Sequence, residues 1–298
     1  MKDQRTLTVL ACGTMGTAIL SGVLESQKAL EDGAPEQAAL ESESGKPVLP
    51  DRYIVTVGRS SSAQRLKETF KCAGHEQVEV RTQDNVAAAR EADCVLLCCK
   101  PQRVGEFLGE SGMREALQNK IVVSIAAGVT ISKLQNYLDA STKVVRAMPN
   151  TPCRIREGMT VISNVDSLSQ DERDLLSSIF SAVGRCHFLD EKYFDAATAL
   201  AGSGPAFVTL FLEAMTDGGV MMGLPRAEAL ELAAQTMQGA ARMVLQSGRH
   251  PAAIKDSVTT PGGCTIAGLL QMEDGRLRST VARSIQTAAE HAAGLGKD

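Results

Sequence analysis

The sequence predicts an α/β fold: an N-terminal Rossmann-like, doubly wound parallel sheet followed by an all-α domain. Three observations predict it. Short apolar runs recur between residues 7 and 147, with helical patterns between most of them. Strands buried on both faces and separated by helices belong to parallel sheets. The first run leads straight into a glycine loop, Ala11-Cys12-Gly13-Thr14-Met15-Gly16, where a dinucleotide-binding turn belongs. After about Glu191 strand patterns stop and alanine- and glycine-rich helical patterns take over. The expected division is therefore 1–190 and 191–298.

Leu7 to Leu10 is a short buried strand, and the helix after the glycine loop places Met15, Ala18, Ile19, Gly22 and Val23 on one face. Tyr53 to Val57, Val78 to Val80, Cys94 to Cys99, Ile121 to Ile125 and Lys143 to Ala147 continue the strand series. Met159 to Ile162 and Cys186 to Leu189 read as added strands flanking a helix near Leu168 to Ala182. Gln27 to Arg52 is rich in Glu, Ser, Ala, Gly and Pro and has no clear apolar face, so it reads as a mobile surface insertion. In the second part, Ser203 is placed to cap a helix reaching Met222, with Pro205 in its first turn. Pro225 starts another to about Gln246, and further helices fit Cys264 to Met272 and Ser279 to Ala293. Apolar residues around most of their circumference suggest a subunit interface, against the alternative of a compact helical monomer.

Composition narrows the function. The 298 residues carry a net charge of −4, only 3% are aromatic and none is Trp. A nucleic-acid footprint is therefore not expected. The first strand begins within six residues of the start, leaving no room for a targeting segment. No apolar run approaches the ~20 residues a membrane span needs. Cysteines at 12, 72, 94, 98, 99, 153, 186 and 264 include no Cys-x-x-Cys pair and no metal-site spacing. They read as reduced core cysteines of a cytoplasmic protein.

The chemistry-bearing signals follow the strand ends. In the loop after the first strand, Ala11 replaces the first glycine, Gly13 lets backbone approach a pyrophosphate, and Gly16 lets helix and strand pack closely. An NAD site usually carries Asp or Glu after the second strand. This chain has Gly58-Arg59-Ser60-Ser61 there, which suits a 2′-phosphate unless Arg59 is only a solvated loop residue. NADPH is the expected cofactor, with NADH as the alternative. Lys100-Pro101, Ala126-Ala127-Gly128 and Met148-Pro149-Asn150 end later strands and are further cofactor candidates, Asn150 as an amide contact near the nicotinamide. In the second part, Thr259-Thr260-Pro261-Gly262-Gly263-Cys264-Thr265 opens a helix with backbone N–H groups and hydroxyls, as a small carboxylate requires.

The stretches VLACGTMGTAIL, LLCCKPQ, SIAAGVT, RAMPNTP, ALAGSGPAF, DGGVMMGLPR and VTTPGGCTIAGL, in this order, resemble the pyrroline-5-carboxylate reductase family, which makes proline at the last biosynthetic step. The resemblance spans nearly the whole chain except Gln27 to Arg52. It implies an NADP-binding Rossmann domain followed by a helical dimerisation and substrate-binding domain, in a homodimer or a ring of dimers with active sites completed by both chains. It also assigns Thr265 to the substrate.

The residues fit such chemistry. A hydroxy-acid dehydrogenase needs a His or Lys to move the alcohol proton. His187 reads as structural within a strand and His75, His250 and His291 as surface positions. A cyclic imine, already electrophilic when protonated, needs mainly positioning. The backbone of Gly262, Gly263, Cys264 and Thr265 would hold its carboxylate, with the Thr265 hydroxyl toward the ring nitrogen or, alternatively, only capping a helix. A β-hydroxyacid-type dehydrogenase would need a lysine on the first long helix of the second domain, and Ser203 to Met222 has none. A non-catalytic dinucleotide-binding regulator would have no use for the TTPGGCT loop.

Overall fold

The computed structural model describes residues 4–33 and 47–294. The chain forms two compact units. One runs to Gly202 and includes the chain from Ala289 onward; the other is Ser203–Ala288. The first compact unit extends past the expected division at 190/191, because Phe194 of the first short helix after Glu191 is buried against Met148 and Val161 of the sheet.

In the first unit β1 (Thr6–Leu10), α1 (Thr14–Glu31), β2 (Arg52–Val57), α2 (Ser60–Cys72), β3 (Glu79–Thr82), α3 (Asn85–Glu91) and β4 (Cys94–Leu97) come first. Then follow α4 (Val104–Leu108), α5 (Met113–Ala116), β5 (Ile121–Ser124), α6 (Ile131–Gln135) and β6 (Lys143–Met148). β7 (Gly158–Ser163), α7 (Gln170–Ser181), β8 (Gly184–Leu189) and α8 (Phe194–Ala197) complete it. The sheet order is β3-β2-β1-β4-β5-β6-β7-β8. β1 to β6 are mutually parallel, with Val9 opposite Val55 on one side and Leu96 on the other. β7 runs antiparallel to β6, and β8 parallel to β7, so the two added strands extend the edge as a reversed pair. The strand order reverses between β1 and β4, the position where ligands bind in such sheets.

Period-two alternation splits the core between the two faces of the sheet. Val9, Val55 and Leu96 pack with Ile19, Leu20 and Phe180 on one face. Their neighbours Leu10, Ile54 and Leu97 pack with Leu108, Leu117 and Val122 on the other. This double burial is why the strands read as unbroken apolar runs. Ser169 and Glu172 form a capping box that starts α7.

The expected insertion needs correction at both ends, while residues 34–46 lie outside the described residues. α1 continues through Glu31, and Gln27 accepts a hydrogen bond from the Tyr53 hydroxyl at 2.8 Å. Val48 and Leu49 pack against the core, and the Val48 N–H donates to Ser178 Oγ at 2.9 Å. A polar composition concealed these few anchoring residues.

The second unit holds α9 (Gly204–Met221), α10 (Arg226–Ser247), an unanticipated α11 (Pro251–Ser257), α12 (Cys264–Asp274) and most of α13 (Leu277–Gly294). Ser203 precedes α9, but its side chain makes no capping bond. Pro225 stands just before α10 in extended backbone. Large apolar side chains are exposed across this unit, Leu210 at 67%, Met221 at 82% and Met222 at 80% among them. One helical stretch, Glu191–Met221, is long and apolar enough to cross a membrane by length and composition, with a mean hydropathy of 1.2. Counting unbroken apolar runs missed it. Alanines raise the average there, and within α9 only Glu213 and Asp217 are charged.

Two expectations about single residues also change. Cys72 and Cys264 are exposed, at the last position of α2 and the first of α12, while Cys12, Cys94, Cys99 and Cys153 are buried. All eight thiols are free. His75 is buried at 3% exposure rather than at the surface, and His187 is exposed on β8.

Candidate active site

The first candidate centre is built at the carboxyl ends of the parallel strands. β1 ends at Leu10, and Ala11 turns the chain with a φ of +54°, the left-handed region that a side chain rarely enters. The turn is clamped to β2. Cys12 N–H donates to the Thr56 carbonyl at 2.9 Å, and Ala11 N–H donates to the Thr56 hydroxyl at 3.3 Å. Gly13 then caps α1 with no side-chain bond to the first turn, so the N–H groups of Thr14, Met15 and Gly16 point out unspent. A side chain at Gly13 would meet nothing within 4 Å, so the space a phosphate needs is open. At Gly16 the opposite holds. A Cβ there would lie 3.0 Å from Cys98 Sγ and 3.1 Å from Val9, the close helix–strand packing expected of this glycine.

Arg59 caps α2 in extended backbone, is exposed, and has no ion-pair partner among the described residues. Ser60 follows it, also exposed. The neighbouring arginines differ. Arg52 and Arg81 are both bound to Glu79 and Glu91 at 2.7–2.8 Å. Unlike Arg52 and Arg81, Arg59 is left to meet an anion. Lys100 is exposed before the turn that Pro101 opens, Ala126 is buried, and Gly128 turns the chain after β5 with φ +75°. Every cofactor candidate thus follows the carboxyl end of a parallel strand.

Asn150, after β6, has a second occupation. Its Nδ2 donates to the Ala201 carbonyl at 3.0 Å and its Oδ1 accepts from Met159 N–H at 2.8 Å. It ties β6, β7 and the π-turn Thr198–Gly202 together. Single π-turns frequently mark functional sites. The thiols beside the glycine loop stay protonated, because burial pushes Cys12 and Cys99 up to about 11. They serve as packing, not as nucleophiles.

The second centre is the Thr259–Thr265 loop of the other unit. Gly262 has φ +68°, and a Cβ at Gly263 would lie 2.5 Å from Thr260 Oγ1, so both glycines are required by this turn. Gly263 N–H is already spent on the Thr260 carbonyl at 3.1 Å, which removes it from the expected carboxylate donors. Gly263 is the cap of α12, so Cys264 and Thr265 stand at its first two helical positions with their N–H groups free of intrahelical partners. Thr265 is not the capping residue. Its hydroxyl has no hydrogen-bond partner among the described residues, and it is half-buried. Anions settle at such helix N-termini.

Residues that the sequence reading missed brace the first unit around the first centre. Thr56 gave no signal beyond being one more position in an apolar strand. Arg146 is buried and bound to Glu191 at 2.8 Å, and Glu191 also accepts Ile131 N–H at 2.8 Å.

Comparison with known proteins matches both parts of the chain. Residues 191–295 match the family model for pyrroline-5-carboxylate reductase dimerisation, and residues 6–128 match that for NADP oxidoreductase coenzyme F420-dependent. A pyrroline-5-carboxylate reductase of Schizosaccharomyces pombe is 46% identical over 97% of this chain and 98% of its own. The structure of a pyrroline-5-carboxylate reductase from Coxiella burnetii superposes with a TM-score of 0.82 at 30% identity, covering 99% of this chain and 100% of that one. That of Plasmodium falciparum pyrroline carboxylate reductase with NADP bound gives 0.77 at 26% identity, with both chains fully covered. The chain belongs to the pyrroline-5-carboxylate reductase family.

Proposed function

We propose that this protein reduces L-1-pyrroline-5-carboxylate to L-proline with NADPH. The observation that carries the reading is the Gly262–Gly263 turn, which leaves the amides of Cys264 and Thr265 and the Thr265 hydroxyl unspent at one helix start. The glycine loop of the other unit fits a dinucleotide, since Gly13 opens on free space and the first-turn amides of α1 are available for a pyrophosphate. A bound nicotinamide supplies the hydride.

The chain's own residues bind and orient. The amides of Cys264 and Thr265 hold the substrate carboxylate, and the Thr265 hydroxyl faces the ring nitrogen. Arg59, with Ser60, holds the cofactor's 2′-phosphate through charge-assisted bonds. Lys100, Pro101, Ala126 and Gly128 supply the wall along the strand ends. Reduction adds a hydride to the imine carbon while the nitrogen keeps the proton it already carries, so no side chain must act as a strong acid. Holding the reactants in register accounts for most of the rate. Loss of NADPH absorbance that depends on pyrroline-5-carboxylate tests the reading; folded protein that shows none would overturn it.

We also propose a homodimer or a ring of dimers in the cytoplasm. Large apolar side chains of α9 and α10 stand exposed, Leu210 and Met221 among them, and the matching family region is a dimerisation region. The eight free thiols suit a reducing compartment. A monomeric mass at micromolar concentration with full activity would contradict the assembly.

A further inference from the structure

The departure at Ala11 has a structural counterpart. A left-handed turn costs an alanine energy that a glycine does not meet. The relaxed alternative for Ala11 would swing the peptide between Ala11 and Cys12, and with it the loop that presents Gly13. Something must hold the strained form. Thr56 holds the turn on both sides: its carbonyl accepts the Cys12 N–H, on the peptide that would swing, at 2.9 Å, and its fully buried hydroxyl accepts the Ala11 N–H, on the preceding peptide, at 3.3 Å. The same hydroxyl donates to Asn85 Oδ1 at 2.8 Å, and Asn85 Nδ2 donates to Glu110 at 3.1 Å. Asn85 is the first residue of α3, so the chain of bonds runs from the glycine loop through β2 into a second helix. The directions are consistent: each donor in the series meets one acceptor.

We propose that Thr56 is a positioning residue for dinucleotide binding, its hydroxyl completing the clamp that its carbonyl begins and so holding Ala11 in the left-handed turn that presents the glycine loop. The inference rests on the reading of that loop as the cofactor cradle. Thr56 touches no substrate or cofactor atom in this account. It acts by keeping the binding-competent loop populated, and apparent affinity falls in proportion to that population.

The test is a double-mutant cycle read by NADPH binding, through nucleotide fluorescence on the full-length protein. Thr56→Val removes the hydroxyl and keeps the shape. It should raise the Kd for NADPH about tenfold, as for a loop competent roughly one-tenth of the time. Thr56→Ser keeps the hydroxyl and should stay within about threefold of the wild type. In the Ala11→Gly background the turn no longer needs a brace, so adding Thr56→Val should change Kd by less than about threefold relative to Ala11→Gly alone. KM for NADPH should follow Kd, while kcat at saturating NADPH moves far less.

Thr56→Val that binds within twofold of the wild type, or that loses the same factor in both backgrounds, overturns the proposal. Should Thr56→Val fail to fold, Thr56→Ala removes the hydroxyl without adding a branch; an unchanged Kd there overturns it equally, and a loss rescued by Ala11→Gly supports it. Wild-type protein that binds no NADPH at all would instead remove the cofactor reading, and this inference with it.

Discussion

The guanidinium of Arg146 is held between Glu191 and Phe194, 2.8 Å from the carboxylate and 4.7 Å from the ring centre. Arg146 is on β6 and Glu191 opens the chain beyond β8, so this contact fastens the last of the parallel strands to the residues that follow the added pair. Glu191 also accepts the Ile131 N–H at the start of α6.

Removing Glu191 should therefore cost more than a surface ion pair would. Arg146 would be left buried without its counter-charge, and Ile131 N–H without an acceptor. Glu191→Ala should lower unfolding stability by about 2–3 kcal/mol, below the range for a fully enclosed pair because Glu191 is one-third exposed. Chemical denaturation checks it. Glu191→Gln, which still accepts the Ile131 bond, should lose less.

Arg59→Ala should weaken NADPH far more than NADH. Only NADPH carries the 2′-phosphate that the free guanidinium can reach, and a charge-assisted bond is worth about 1.5–3 kcal/mol. Equal changes in KM for the two cofactors would remove Arg59 from the cofactor site.

Acid should expose the Arg52–Arg81–Glu79–Glu91 cluster. Hydrogen bonds from Arg81 and Arg52 hold the Glu91 carboxyl at about 2, well below its usual 4.5. A depressed carboxyl stabilises the fold above its unfolded value and loses that stabilisation as pH falls. The loss should thus run from about pH 4.5 down to about 2. Glu91 is more than one-third exposed, so screening limits the effect to roughly 1 kcal/mol or less. Glu91→Gln should flatten the acid limb of stability against pH; an unchanged limb would show that the cluster contributes nothing.

Thr265→Ala and Thr265→Ser separate chemistry from folding. The alanine variant keeps the amides that hold the carboxylate, so affinity for proline-like acids should fall only modestly. Turnover should fall about ten- to hundred-fold, the equivalent of one lost hydrogen bond at the reacting ring. Serine should restore much of it. Variants that turn over at the wild-type rate would take Thr265 out of the site.

The fold was legible where one physical rule acted alone. Strands buried on both faces read as apolar runs, and the Gly262–Gly263 turn read as a helix start because its amides have no side-chain competitor. Legibility failed where tertiary partners decide. Asn150 looked like a free amide after a strand, but only the fold shows its two ends bound to Ala201 and Met159. Val48 and Leu49 sit in a polar stretch and are anchored by contacts remote in sequence. Ala11 was legible as a departure from glycine, while Thr56, which makes the departure tolerable, stands 45 residues away.

The central claim is hydride transfer to a cyclic imine, and isotope transfer tests it most directly. The protein is given pyrroline-5-carboxylate with NADPH deuterated at both C4 positions, and the product is resolved by mass and chirality. The account predicts L-proline one mass unit heavier, labelled at the carbon that belonged to the C=N bond. Folded protein that yields no proline, or proline without the label, would contradict it.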